Sequence, residues 1–171
     1  MRMFRFMLAS SVVAGLAMPV SAQQPATPPS VPPNKLFTSS ADVAALVAKA
    51  KAERKADQPN LIQPLLSLSP YTASLEYRAL VGPAAVHEKE AEAFYVVDGA
   101  GTMVTGGKLT AERRTNAENL SGTGIEGGAS RHVAKGDFIM VPENTPHWFS
   151  SIDGVLVLMS LHVPRPVRTG P

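Results

Sequence analysis

The 171-residue sequence contains no cysteine. Disulfide bonds are therefore excluded, and so are a thiol nucleophile and thiolate metal ligands. Long apolar runs are also scarce, since the run at residues 6–18 is too short to cross a bilayer as a helix. With 44% hydrophobic residues, the chain is still long enough to form one domain with a core of its own.

The first 22 residues have the pattern of a secretory signal peptide. Arg2 and Arg5 give it a positive start, residues 6–18 are apolar, and Val20, Ser21 and Ala22 are small residues suited to cleavage. We expect cleavage after Ala22 and a periplasmic or secreted mature protein without a membrane span.

An excess of charge of either sign is absent once this segment is removed. The whole chain has 16 Lys and Arg residues against 14 Asp and Glu residues. Arg2 and Arg5 account for the difference, so the predicted mature chain has no net charge. Nucleic acid is therefore not expected as a partner.

Two segments precede the predicted main domain. Residues 23–38 contain five prolines before Asn34 and are typical of an extended tether. Residues 39–57 predict an amphipathic helix that begins at Ser39 or Ser40. Its apolar stripe has helical spacing and consists of Val43, Leu46, Val47 and Ala50.

Residues 58–166 predict an all-β domain, because the apolar period changes to two and no helical period follows. The predicted strands lie at residues 66–69, 74–80, 93–97, 102–105, 138–141, 148–152 and 155–161. Asp153-Gly154 between two apolar strands predicts a hairpin. Residues 107–135 are glycine-rich and predict an inserted excursion with an extra hairpin.

Residues 136–151 hold the most specific motif of the chain. Pro142 and Pro146 bracket a turn, because proline fixes φ and cannot donate to a strand ladder. Asn144 is expected at positive φ within that turn, which places His147 at the start of the next strand. Alternation predicts that four residues around the turn share one face: Phe138, Met140, His147 and Phe149.

This stretch resembles the second motif of the cupin superfamily, in which a glycine, a proline, a second glycine and a histidine follow at fixed spacing. Gly136, Pro142 and His147 match three of these positions, and Asn144 stands where the family has its second glycine. The replacement meets the same backbone demand, since asparagine tolerates positive φ.

The first cupin motif, with two histidines, a glutamate and a glycine, is matched in part. Glu92 and Gly99 have the family spacing, and His87 falls in the slot of the second histidine, with Ala85 in the slot of the first. Two other registers remain open. One places Val86 and Glu88 in the histidine slots, and the other places His87 and Lys89 there.

The resemblance covers residues 66–163 and implies a small single-domain cupin, which the predicted signal peptide would export. Its fold would be a conical β-barrel, also called a double-stranded β-helix or jelly roll, with an N-terminal helix added. The resemblance further implies a divalent metal held by His87, Glu92 and His147. Imidazole and carboxylate ligands suit Fe, Mn, Ni or Zn, and two histidines with one carboxylate leave coordination positions open.

The remaining polar candidates are weaker. His132 is expected at the surface, and His162 on the last strand is a weaker metal candidate that could line the pocket. Glu88, Lys89 or Tyr77 could supply acid–base help. Strand alternation from the metal ligands places Phe94 and Phe149 at the cavity, with Tyr77 and Met140 as further candidates, although for Val96 and Met140 core packing is preferred.

Three functional hypotheses follow. The chain could be a metal-dependent enzyme of the dioxygenase, isomerase or lyase type that acts on a small oxygen-rich organic molecule. The alternative is a non-catalytic module that binds a small molecule or carbohydrate with a degenerate metal site. A structural role through dimerisation is the third, because exposed edge strands need a partner and cupins resemble one another in forming homodimers.

Overall fold

The computed structural model describes residues 34–165, so the predicted signal peptide and most of the predicted tether lie outside the described part. One helix, α1 (Ser40–Glu53), precedes the β-strands. The strands of the described part are β1 (Asn60–Leu68), β2 (Tyr71–Arg78), β3 (Ala84–His87), β4 (Glu90–Thr105), β5 (Lys108–Thr110), β6 (Arg113–Arg114), β7 (Asn119–Gly122), β8 (Gly124–Glu126), β9 (Ala129–Ala134), β10 (Phe138–Val141) and β11 (His147–Pro164).

Helix α1 begins where the sequence predicts and ends earlier. Ser39 is the N-cap, and its side chain and that of Asp42 form a reciprocal capping box. The helix ends at Glu53, because Arg54 adopts an extended backbone with ψ of 129°. The predicted apolar stripe packs against the sheet, with Ala50 fully buried.

The two longest strands, β4 and β11, form the main antiparallel ladder of the domain. Their register runs from Glu90 opposite Pro164 to Thr105 opposite His147. Strand β2 pairs with the other edge of β11, while β9 and β10 pair with the other edge of β4. The all-β prediction is confirmed, since nine strands form one antiparallel sheet that curls around an interior.

The predicted hairpin at Asp153-Gly154 is wrong. Both residues lie inside β11, where Gly154 has a φ of 77° and the register with β4 slips between Ile152 and Leu156. Gly99 lies opposite Leu156 at the same irregularity, with a φ of 80°. The two glycines therefore form a bulge that bends the paired strands rather than a turn that ends them.

The glycine-rich segment is more integrated than a simple excursion. Strands β5 and β8 form a separate two-stranded sheet, but β6, β7 and β9 belong to the main sheet. Strand β7 pairs with β3 so that Asn119 lies opposite His87. The segment therefore brings a polar residue beside a predicted metal ligand.

The sheet has an apolar cluster on each face. The interior cluster consists of Phe94, Val96, Met103, Val133, Val141, Phe149, Leu156 and Leu158. The outer cluster lies beneath α1 and contains Leu65, Ala73, Leu75, Tyr77 and Val157. Tyr77 is thus core packing under the helix and not a pocket residue.

The predicted shared face of the 136–151 motif is wrong for its first strand. His147 and Phe149 are buried, but Phe138 is 69% exposed and Met140 is 55% exposed. The side chains of β10 and β11 at these positions therefore lie on opposite faces of the sheet, because the turn between the two strands breaks the alternation.

No helix in the range 34–165 is long and apolar enough to cross a membrane.

Candidate metal centre

Four side chains from three strands converge on one end of the barrel interior. His87 ends β3 and Glu92 lies near the start of β4. His147 begins β11 and His162 lies near its end, directly opposite Glu92 in the ladder. Glu92 is 4% exposed and His147 is 6% exposed, so the centre of the cluster is buried.

The turn before His147 has the predicted form. Asn144 has a φ of 56°, which confirms the expected left-handed residue. Its backbone N–H donates a hydrogen bond to the carbonyl oxygen of His87 at 2.7 Å. The turn of one motif is therefore tied directly to a ligand residue of the other.

Glu92 lies at the centre of the cluster. Its Oε2 is 3.2 Å from His87 Nε2 and 3.1 Å from His147 Nε2, and its Oε1 is 3.3 Å from His162 Nε2. The carboxylate of Glu92 thus faces the Nε2 atom of each of the three imidazole rings.

The other ring nitrogen of each histidine faces an acceptor. Nδ1 of His147 donates to the carbonyl of Thr145 at 3.1 Å, and Nδ1 of His162 donates to Glu90 Oε1 at 2.7 Å. Carbonyl and carboxylate oxygens only accept, so both Nδ1 atoms carry hydrogen. In a neutral ring, Nε2 then presents a lone pair.

The Nδ1 atom of His87 also faces an acceptor, whose orientation is set by hydrogen bonds to the side chain of Asn116. The backbone N–H of Glu118 donates to Asn116 Oδ1 at 2.9 Å, and Asn119 Nδ2 donates to the same oxygen at 3.0 Å. Asn119 Oδ1 is thereby turned toward His87 Nδ1, 2.6 Å away. His87 Nδ1 therefore carries hydrogen as well.

Without a cation at the centre, protons must compensate the charge of Glu92. Burial raises the pKa of this carboxyl, but hydrogen bonds from His147, His162 and His87 outweigh burial and hold the pKa well below its usual range. The hydrogen bond to Glu92 is the main cause that raises the pKa of His162 to about 9. Burial lowers the pKa of His87, but hydrogen bonds to Glu92 and Asn119 prevail and raise it.

A divalent ion would remove the need for several protonated rings around Glu92. Three imidazolium rings would repel one another, since the ring centroid of His87 is 5.3 Å from that of His147 and 4.9 Å from that of His162. Two donor atoms about 2.1 Å from one ion are about 3.0 Å apart at right angles and about 3.4 Å apart in a tetrahedron. The spacings from the Glu92 oxygens to the three Nε2 atoms, 3.1 to 3.3 Å, lie between these values and are also close to hydrogen-bond length.

The structure brings the three predicted ligands together and adds His162. The ligand atoms of His87, Glu92 and His162 lie within 4.8 Å of one another and form a possible metal-binding triad. The predicted ligand His147 is not a member of this triad, although its Nε2 lies 3.1 Å from Glu92 Oε2. Ala85, in the slot of the family's first histidine, lies opposite His147. The final strand thus supplies the imidazole that the first motif lacks.

The remaining candidates lie elsewhere. Glu88 pairs with Arg114 at 2.8 Å, Lys89 is exposed, and His132 is 62% exposed beside Asp153. Val86 is buried in the core. These positions favour the register with His87 in the second histidine slot over both alternatives.

One side of the cluster opens to solvent. The side chains of His87 and His162 are 19% and 23% exposed, whereas those of Glu92 and His147 are 5% and 7% exposed. On the closed side, Phe94 packs beside His147 at 6.0 Å between ring centroids, and Phe149 packs against Phe94 at 5.5 Å. Both rings are buried in the interior apolar cluster, so they pack as core behind His147 rather than line a cavity as predicted.

Several solved structures have a similar fold. DMSP lyase DddQ from Ruegeria pomeroyi is 17% identical with a TM-score of 0.50, and the match covers 86% of this chain and 78% of that one. A double-stranded β-helix protein from Klebsiella pneumoniae is 12% identical with a TM-score of 0.47, over 65% and 82% of the two chains. KdgF from a Halomonas species is 18% identical with a TM-score of 0.45, over 66% and 87%.

Comparison with curated protein sequences found no match. The family model described as Cupin matches residues 49–166, which is more than half of the chain and includes all four clustered side chains. Together with the antiparallel barrel and the motif residues, this match establishes that the chain belongs to the cupin family.

Proposed function

We propose that His87, Glu92, His147 and His162 hold one divalent metal ion, of Fe, Mn, Ni or Zn type, and that the centre acts on or binds a small oxygen-rich organic molecule. The observation that carries this proposal is the orientation of the imidazoles. Each Nδ1 atom donates to an oxygen, so each ring, when neutral, presents its Nε2 lone pair on the side of Glu92, where one ion could accept all three. Three nitrogens and one oxygen suit all four metals.

The residues of the chain divide the work at this centre. When bound, the metal polarises a coordinated oxygen atom as a Lewis acid. Glu92 and the three imidazoles hold it at the closed end, where Phe94 excludes water. The partly exposed edge between His87 and His162 leaves a path by which an oxygen-bearing ligand reaches the centre.

The alternative, a module that binds without turnover, also has support. All three predicted acid–base residues lie away from the cluster: Glu88 is paired with Arg114, Lys89 is exposed, and Tyr77 is beneath α1. A ligand that raises the unfolding temperature of the metal-loaded protein while no product forms would favour this alternative.

Elemental analysis tests the metal proposal. We expect about one divalent ion per chain in the purified protein, and loss of that ion in His147→Ala because a buried ligand is removed. His132→Ala is the matched control, since it removes an exposed imidazole away from the cluster. Wild-type protein that contains no metal and cannot be loaded with Fe, Mn, Ni or Zn would overturn the proposal.

Export is proposed from the sequence of residues 1–22. Mass spectrometry of the protein recovered from its native host is expected to give a chain that begins at Gln23. A chain in the cytoplasm that retains Arg2 and Arg5 would contradict export.

A homodimer is proposed for the sheet edge at β10. In the described part of the chain this strand pairs with β4 alone, and its exposed side chains are Phe138 and Met140. Tyr95, opposite Phe138, is 43% exposed and extends the apolar surface. Light scattering should show a dimer that Phe138→Asp dissociates, and a wild-type monomer would contradict the proposal.

A further inference from the structure

The three imidazoles of the cluster differ in the acceptor that each Nδ1 atom meets. His147 donates to a backbone carbonyl and His87 to a side-chain amide, both of which are neutral. His162 donates to the carboxylate of Glu90 at 2.7 Å. A charged acceptor makes a stronger hydrogen bond than a neutral one.

The fold places Glu90 within hydrogen-bond distance of His162 but outside the group of ligand atoms around Glu92. Glu90 lies two residues before Glu92 on β4, so both side chains share the inner face. Its partner across the ladder is Pro164, two residues beyond His162. Oε1 of Glu90 also lies 3.8 Å from His87 Nδ1, which is beyond hydrogen-bond distance.

We propose that Glu90 is a positioning residue of the metal centre, which holds the ring of His162 with Nε2 toward the ion and strengthens that nitrogen as a ligand. The inference rests on the proposed function and assigns a specific part of it to Glu90. Among the imidazoles, His162 comes from outside the two motifs, and its ring is more exposed than the others. An ionised acceptor fixes such a ring most effectively.

The physical reason is twofold. The hydrogen bond restricts rotation about the bond that carries the ring, so less side-chain entropy is lost when the ion binds. The negative charge beside Nδ1–H also increases electron density on Nε2. Residues that accept from a ligating histidine typically change metal affinity by about 10- to 100-fold when they are removed.

Titration of metal-free protein with cobalt(II) chloride tests the proposal through affinity and the visible absorption spectrum. Glu90→Ala is expected to bind cobalt about 10- to 100-fold more weakly. Glu90→Gln keeps an acceptor but loses the charge, so its affinity should fall between wild type and Glu90→Ala. Glu88→Gln is the matched control, because it removes a nearby carboxylate that pairs with Arg114 and not with an imidazole.

A double-mutant cycle separates positioning from general electrostatic attraction. If Glu90 acts through His162, adding Glu90→Ala to His162→Ala should cost almost nothing further, because the ring it holds is gone. An equal loss in both backgrounds would overturn the proposal, as would unchanged affinity and spectrum in Glu90→Ala and Glu90→Gln. Wild-type protein that binds no cobalt and none of the other divalent metals would instead overturn the proposed metal centre itself.

Discussion

Glu76 and Glu92 are equally buried, each with 4% of its surface exposed, yet they have different kinds of partner. Glu76 accepts hydrogen bonds from Arg78 Nε at 2.8 Å and from Asn60 Nδ2 at 3.1 Å. Glu92 faces three imidazoles instead. A guanidinium keeps its charge at every pH that a protein experiences, whereas imidazole can lose its proton and bind a metal.

The two carboxylates belong to one interior and are joined by aromatic contacts. The guanidinium of Arg78 lies 4.7 Å from the ring centroid of Phe149, which packs against Phe94 and, through it, His147. In the Glu76 cluster, a fixed cation makes the charge a structural element. In the Glu92 cluster the balancing positive charge comes from protons when no metal is present, and under the proposed function a metal ion would replace them. The nature of the partner therefore distinguishes a structural ion pair from a candidate functional site.

The largest expected effect is a loss of stability when the Glu76 cluster is changed. Arg78→Met leaves Glu76 buried without its cation and removes the contact with Phe149. Removal of one partner of a buried pair typically destabilises a protein by about 3–5 kcal/mol. Urea unfolding of the metal-free variant should show this loss, while cobalt affinity per folded molecule stays near that of wild type.

An unchanged urea midpoint in Arg78→Met would show that Glu76 does not depend on its cation. A large loss of cobalt affinity in the folded variant would show that the two clusters are coupled through Phe149 and Phe94.

Glu92→Gln should have the converse effect. Above about pH 9 the stabilisation that Glu92 gives through His162 is already lost in the wild type. Measured there, the free energy of unfolding of the metal-free protein should change by less than about 1 kcal/mol in Glu92→Gln. Wild-type protein at a metal concentration 100 times the dissociation constant should gain about 2.7 kcal/mol from binding, and the variant should gain almost none. Thermal unfolding with and without metal measures both quantities.

Equal metal stabilisation of wild type and Glu92→Gln would remove Glu92 from the centre. A metal-free variant as unstable as Arg78→Met would show that Glu92 is a structural carboxylate like Glu76.

The sequence was sufficient for the parts of the centre that depend on local spacing. Pro142, Asn144 and Pro146 determine a turn by their own backbone preferences, so the position of His147 at a strand start followed from a few neighbouring residues. Glu92 and His87 were predicted through the resemblance to the first cupin motif, whose spacing is also short. The amphipathic helix and the all-β domain were predicted from periodicity, which is also local.

His162 could not be placed in this way, because its position depends on the register of β11. His147 and His162 are separated by an odd number of residues, so simple alternation would put them on opposite faces. Three irregularities in the ladder between β4 and β11 change this alternation and allow both rings to face the interior. Asn119 was missed for a related reason, since its pairing with His87 joins segments that are distant in sequence.

The smallest expected effect concerns pH and again distinguishes protons from metal at Glu92. In metal-free protein the pKa of His162 is raised to about 9 from an ordinary value of 6.5, chiefly by Glu92 and with a contribution from Glu90. The resulting stabilisation is fully present below pH 6.5 and is lost as the pH rises through about 9. We expect the free energy of unfolding in chelator to fall by roughly 1–3 kcal/mol across this window.

Metal should reverse the direction of this pH dependence. An ion that binds His162 must displace its proton, so cobalt affinity should rise across the same window. His162→Ala is the control in both experiments and should weaken both slopes. If its slopes equal those of wild type, the proton that the ion displaces is not on His162, and the exchange of protons for metal at Glu92 must involve the remaining imidazoles alone.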